Sequence, residues 1–335
     1  MKPRVVITHK VHKETLNYLS EHCDVISNQS EASLSQDELM NRVSQADAMM
    51  AFMPDKVDES FLRACPNLKV IGAALKGYDN FDVKACQDHG VWFTVVPDLL
   101  TVPTAELTIA LMTGLMRNVL AADSYVRSGE FSGWRPMFYG MGVAESTVGI
   151  IGMGAIGKAI AERLSGWGAE LLYNDQSRLP AEHETALRLS FVELEDVLKR
   201  SDVVILALAL NDETYHLISN EQLSVMKKGA YVINPCRGSI ISEQAVVEML
   251  KSGQLGGYAA DVFEMEDWAI TERPKQIDPQ LLAQPNTLFT AHIGSAVKRV
   301  RQQIELRAAE NIIQALNGEQ PQDAINLIER KPQPC

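Results

Sequence analysis

The stretch TVGIIGMGAIGKAIAERL, Thr147–Leu164, decides how the rest of the chain is read. Val148–Ile151 is a short apolar run with the length of a buried strand. Gly152, Gly154 and Gly157 follow in the spacing G-x-G-x-x-G, and Ala155 and Ile156 open a helical pattern. Glycines at those places allow a tight turn, a close approach of backbone to a pyrophosphate, and close packing of helix on strand, while the helix start offers free N–H groups to phosphate. Alone, the fingerprint is weak. It gains weight from a second strand, Glu170–Tyr173, that leads to Asp175, 18 positions after Gly157 and near the ~20 expected. A carboxylate there accepts hydrogen bonds from the adenosine ribose and repels a 2′-phosphate, so NAD is expected rather than NADP.

Working outward, strands are expected at Val148–Ile151, Glu170–Tyr173, Val203–Leu208, Tyr231–Ile233, Tyr258–Val262 and Thr287–Phe289, the six of a complete dinucleotide-binding sheet. Earlier in the chain, Arg4–Thr8, Asp24–Ser27, Ala46–Phe52, Leu68–Leu75 and Val91–Val96 read as strands separated by helical patterns. Such alternation implies parallel βαβ units with right-handed crossovers. The expected fold class is α/β, with two doubly wound parallel-sheet domains: a flavodoxin-like substrate domain (1–99 and 293–330) and a Rossmann NAD-binding domain (100–292), followed by a tail at 331–335. Thr101–Leu120 reads as one helix, apolar on nearly every side, with Pro103 in its first turn. It is expected to cross between domains or pack on a second subunit, the alternative being a core helix of one domain. Ser295–Leu316 reads as a long amphipathic helix returning to the first domain, and Gln320–Cys335 as a loose polar tail.

Composition narrows the partners. Hydrophobic residues make up 46% and charged residues 22% of 335, the balance of a soluble globular protein. A net charge of -12, with Lys and Arg dispersed among acids, leaves no basic stripe for nucleic acid. The longest apolar run, Val203–Leu210, is too short to span a bilayer, and the N-terminus lacks a signal-type apolar core. Five widely spaced cysteines without C-x-x-C argue against a disulfide framework or a zinc site and for a reducing cytoplasm.

Three later strand ends carry the candidate chemistry. Asn234-Pro235-Cys236-Arg237-Gly238 ends one, and a guanidinium there offers a planar charged fork to an oxyanion. Asp261-Val262-Phe263-Glu264-Met265-Glu266 ends the next, and Thr290-Ala291-His292-Ile293-Gly294 the last. A histidine moves a proton near neutral pH, and a carboxylate on its other nitrogen fixes the tautomer. His292 by itself also fits a structural histidine, and Arg237 a surface ion pair. His9 and His12 mimic a metal pair but lack further ligands.

This succession of Arg, Glu and His behind a dinucleotide fold resembles the D-isomer-specific 2-hydroxyacid dehydrogenase family, over nearly the whole chain. The resemblance implies that Arg237 clamps the substrate, Glu266 orients the histidine and His292 is the acid/base. It further implies NAD contacts from Lys76, Thr104, Gly152, Gly154, Ala155, Ile156, Gly157, Asp175, Ala207, Leu208, Pro235, Cys236, Asp261 and Gly294, no metal, and a homodimer formed through Thr101–Leu120. Three positions depart from the family pattern: Asp267 and Ala291 stand where proline is usual, and Lys76 where a neutral residue is usual.

Those departures are similar to a narrower branch, the phosphite-oxidising (phosphonate) dehydrogenases, which also match AFMPD (51–55), ALKGYDNFDV (74–83), VPDLLTVPTAELT (96–108), VRSGEFSGWRP (126–136), GYAADVFEMEDW (257–268) and HIGSAVK (292–298). What that resemblance implies is NAD-dependent oxidation of phosphite to phosphate, with water as nucleophile. The small dianion would be held by Lys76, Arg237, His292, Arg301 and backbone N–H groups at Gly77 and Tyr78, with Met53, Trp134 and Tyr139 as walls. Arg301 also fits an exposed helix charge, and Trp134 and Tyr139 fit packing between domains or subunits. Two rival expectations stand beside it: an NAD(H)-dependent glyoxylate or hydroxypyruvate reductase, and a non-enzymatic NAD-sensing corepressor-like protein.

Overall fold

The structure, a computed structural model, describes residues 2–328, so the expected tail at 331–335 lies outside the described residues. The chain divides into two compact units, Met1–Leu100 with Trp268–Thr271 and Ala296–Cys335, and Thr101–Asp267 with Glu272–Ser295.

Unit 1 is built on five parallel strands, β1 (Arg4–Ile7), β2 (Asp24–Ser27), β3 (Ala48–Ala51), β4 (Val70–Ala73) and β5 (Trp92–Thr94), in the order β2-β1-β3-β4-β5. That is the flavodoxin-like order, with its topological switch at β1/β3. β3 and β4 read AMMA and VIGA and are buried throughout, as strands covered on both faces must be. One face is covered by the helices Gln36–Val43, Glu59–Ala64 and Val83–Asp88, the other by Lys13–His22 and the long helix Lys298–Leu316. The long helix lies so close to β4 that a Cβ on Gly72 would stand 2.6 Å from Ile312 Cγ1, which is why that strand carries a glycine in its interior. Residues 320–328 are anchored, contrary to the loose tail expected of them. Asp323 accepts from Arg307 and Asn311, Asn326 Oδ1 accepts from Phe93 N at 2.9 Å, and Ala324 bridges Thr94.

Unit 2 holds seven parallel strands where six were expected: β6 (Thr147–Ile151), β7 (Glu170–Asn174), β8 (Leu189–Phe191), β9 (Val203–Leu206), β10 (Ala230–Asn234), β11 (Leu255–Ala260) and β12 (Thr287–Phe289). Their order is β12-β11-β10-β9-β6-β7-β8. The strand missed in sequence, β8, is a three-residue edge strand pairing with β7; LSF is too short to show a period. The expected helix Thr101–Leu120 is two helices, Thr101–Met116 and Val119–Arg127, bent by 66° where Asn118 takes a left-handed φ of 54°. The first is a core helix of unit 2: Ala105, Ile109, Met112 and Met116 are buried among residues of β6, β9 and the helix Ala155–Leu164. No single helix among the described residues is long and apolar enough to cross a membrane.

Candidate active site

In unit 2 the chain reverses strand order between β6 and β9, and in open α/β sheets ligands bind at the carboxyl ends of strands at such a switch. The glycine loop sits there. Gly152 has φ 95°, and a Cβ on it would lie 2.4 Å from Ala207 O, while one on Gly157 would lie 2.2 Å from Gly152 O. Those two glycines make the turn and the helix–strand contact. Gly154 meets nothing within 4 Å, so its backbone is open to a phosphate, and it caps the helix Ala155–Leu164 without a side-chain acceptor for that helix's first N–H groups. This cradle fits a dinucleotide. Asp175 stands beside it, and its Oδ2 accepts from Met153 N. Ala207 and Leu208 follow β9, half-buried.

Arg237 follows β10. The preceding Asn234 is fully buried and folds the tip: its Oδ1 accepts from Cys236 N at 3.1 Å, and its Nδ2 donates to Arg237 O at 2.9 Å. Burial pushes the Cys236 thiol up to about 11, so it stays neutral beside the arginine. Behind Arg237, a Cβ on Gly238 would stand 1.9 Å from Phe263 C, so only glycine lets this tip press against the next one.

That next tip is a single 3-10 turn, Glu264–Glu266. Glu266 Oε1 accepts from Phe263 N at 2.9 Å, and its Oε2 lies 2.9 Å from His292 Nδ1. The pairing expected from adjacency of strand ends is therefore present in the geometry. His292 takes a left-handed φ of 53°, unusual outside glycine, with its N–H donating to Asp261 O at 2.8 Å. Asp261, expected on the cofactor side, is 1% exposed with both carboxylate oxygens taken. Thr290 Oγ1 and Ile293 N donate to one, and Gly294 N to the other. In the structure it anchors the histidine loop. Thr104 is buried near Gly294, at 3.1 Å from where a Cβ would sit.

Three acidic residues beneath these tips were not assigned a joining role from the sequence. Glu243 and Glu264 exchange bonds, each carboxylate accepting the other's backbone N–H at 2.7 and 2.8 Å, and Asp267 Oδ2 accepts from Ser239 N at 2.6 Å. They bind the arginine tip to the glutamate tip. Burial raises the Glu243 carboxyl to about 7. Asp267 had been visible only as a missing proline; Glu243, at a helix start, gave no signal beyond an ordinary first-turn acid.

In unit 1, Lys76 comes three residues after β4, one-third exposed, with Nζ 3.8 Å from Asp98 Oδ1. Arg301, on the long helix, turns toward the same strand end: Nη1 donates to Ala74 O at 3.4 Å and the guanidinium lies 5.8 Å over the Phe52 ring. Burial lowers its pKa. It is thus no exposed helix charge. Met53 packs against the unit 1 core, and its carbonyl accepts from Asn80 at 2.7 Å. Gly77 is half-buried. Trp134 and Tyr139 do not wall anything within unit 2; they are 85% and 80% exposed. His9 and His12 are engaged apart, His9 with Ser33 and His12 with Glu305 at 2.9 Å.

A Rossmann sheet with a glycine cradle, a strand-tip arginine and a carboxylate–histidine dyad defines an NAD-dependent dehydrogenase. Residues 109–294 match the family described as D-isomer specific 2-hydroxyacid dehydrogenase, NAD binding domain. The chain is 37% identical to a glyoxylate reductase of Thermococcus onnurineus, covering 99% of both chains, and 36% identical to one of Korarchaeum cryptofilum, covering 97% of this chain and 96% of that one. Among solved structures, the TT0316 protein of Thermus thermophilus superposes with a TM-score of 0.87 at 32% identity, over 96% of this chain and 100% of that one. The chain belongs to the D-isomer specific 2-hydroxyacid dehydrogenase family.

Proposed function

We propose that this chain oxidises a small tetrahedral oxyanion, phosphite, to phosphate with NAD. The observation that supports phosphite is the pair of cations at one strand end of unit 1, Lys76 after β4 and Arg301 bonded to Ala74 O. A carboxylate substrate with one charge needs less; a compact dianion with no carbon body to bury is bound by charge alone.

NAD, when bound, supplies the hydride acceptor. Asp175 would hold the adenosine ribose, and Gly152, Gly154 and Gly157 the pyrophosphate. His292 takes a proton from the attacking water through Nε2, since Nδ1 faces Glu266, which fixes the tautomer and steadies the imidazolium. Arg237 binds substrate oxygens and offsets the charge that builds as water adds to phosphorus. In this reading unit 1 is the substrate domain, and a homodimer forms in a reducing cytoplasm, consistent with the free thiols Cys23, Cys65, Cys86 and Cys236.

A glyoxylate-type 2-oxoacid reductase is the second reading, and the named relatives back it better than they back phosphite, since those relatives are glyoxylate reductases. The same dyad would then donate a proton to the carbonyl oxygen, with Arg237 on the carboxylate. One assay separates the two: NADH absorbance with phosphite and NAD, against NADH consumption with glyoxylate. NADH formation that weakens through a higher KM in Lys76→Ala supports phosphite. Silence with phosphite and turnover of glyoxylate establishes the second reading.

A further inference from the structure

The three residues after Asp175 are Gln176, Ser177 and Arg178, and an arginine just beyond the acidic tip is the usual acceptor of an NADP 2′-phosphate. Here Arg178 is held elsewhere. Its Nε and Nη2 donate to Glu184 Oε1 and Oε2, both at 2.9 Å, a bidentate fork, and its guanidinium lies 5.8 Å from the Phe191 ring centre. Glu184 is in turn fixed. It is 8% exposed, accepts from Tyr173 OH at 2.7 Å, and that hydroxyl accepts from Leu179 N at 2.8 Å. Tyr173 is fully buried in β7, so the clamp is rooted in the same strand that leads to Asp175. Gln176 is likewise turned onto an acid, Glu213, at 3.2 Å.

An exposed ion pair between flexible side chains contributes little. This one differs because one partner is almost buried, oriented by a second donor and engaged through two parallel bonds, the arrangement that gives charge-assisted pairs their strength. The arginine's own side chain is 64% exposed, so its bonds to Glu184 and its contact with Phe191, rather than burial, keep it from an incoming phosphate. We propose that Glu184 is a specificity-determining residue that withholds Arg178 from the NADP 2′-phosphate, a second barrier behind the carboxylate of Asp175. The inference rests on the reading that Asp175 faces the adenosine ribose.

Calorimetric titration of NAD and NADP into the full-length protein tests it without turnover. Glu184→Gln keeps an acceptor for Tyr173 and removes the charge that holds the guanidinium. It is expected to tighten NADP binding about tenfold or more, the order of one charge-assisted bond, and to leave NAD binding unchanged. Arg178→Ala added to that variant should erase the gain. Unchanged NADP affinity in Glu184→Gln, or equal loss for both cofactors, overturns the proposal. Arg178→Ala in the native background decides the matter even if the Glu184 variant fails to fold: unchanged NADP affinity is expected, and a tenfold loss means the arginine is already available and overturns the clamp. Asp175→Ala, run alongside, separates the underlying reading, because an unchanged NAD/NADP ratio in that variant alone removes the ribose role of Asp175.

Discussion

His292 is fixed by two residues, Asp261 and Glu266, that both follow β11, the strand beside its own. Asp261 grips the loop through backbone N–H groups, Glu266 faces Nδ1 at 2.9 Å, and the left-handed φ of 53° is sustained by the bond from His292 N to Asp261 O. In the proposed function the Glu266 carboxylate orients the ring. Glu266→Gln keeps a hydrogen-bond acceptor but withdraws the negative charge, so kcat is expected to fall by about 10²-fold, the lower range for general acid–base groups, with NAD affinity unchanged. Stopped-flow and equilibrium binding measurements check both halves. A variant with near-native kcat would reduce Glu266 to a structural acid. Arg301 was open in sequence between a substrate-binding cation and an exposed helix charge, and its bond to Ala74 O and packing over Phe52 show it turned inward.

Elements are tied at their ends by similarly small devices. Asp55, 5% exposed, accepts from Thr8 Oγ1 at 2.6 Å and Phe52 N at 2.7 Å, joining the segments that follow β1 and β3 at the switch point of unit 1. Burial raises its carboxyl from 3.8 to about 6. The folded form therefore binds this proton more tightly than the unfolded chain, and stability from this group is full below about pH 3.8 and is lost as pH rises to about 6. Asp55→Asn retains the acceptor oxygen and does not titrate. Between pH 4 and pH 7 the variant should gain on the native protein by on the order of 2–3 kcal/mol, at 1.36 kcal/mol per pKa unit. Urea unfolding at several pH values measures this; parallel curves would mean that Asp55 stays ionised. The clamp of Glu243, Glu264 and Asp267 is the corresponding device in unit 2, where acids accept backbone N–H groups to join the arginine and glutamate tips.

On the scale of the whole molecule, the apolar helix Thr101–Met116 is spent inside unit 2, and the exposed apolar surface lies just beyond it. Val119, Leu120, Val126, Phe131, Trp134 and Tyr139 are 53–85% exposed over some twenty consecutive positions, the segment on which the proposed homodimer is tested. A homodimer through this segment predicts twice the 37.0 kDa chain mass at micromolar concentration, and a 37.0 kDa species for a Trp134→Glu/Tyr139→Glu variant. A native monomer by light scattering would refute it. The sequence by itself determined the α/β class with two parallel-sheet domains, eleven of the twelve strands and the glycine loop, because strand runs and glycine spacing are local signals, whereas Glu266 was singled out through the family resemblance. It missed β8, the break at Asn118 and the anchoring of residues 320–328, since a three-residue edge strand, one left-handed residue and a few side-chain bonds leave no period to read. Only the tertiary structure decided that Glu266 meets His292, that Asp261 holds a loop, and that Arg178 is clamped by Glu184, because each joins residues whose approach depends on strand order and packing.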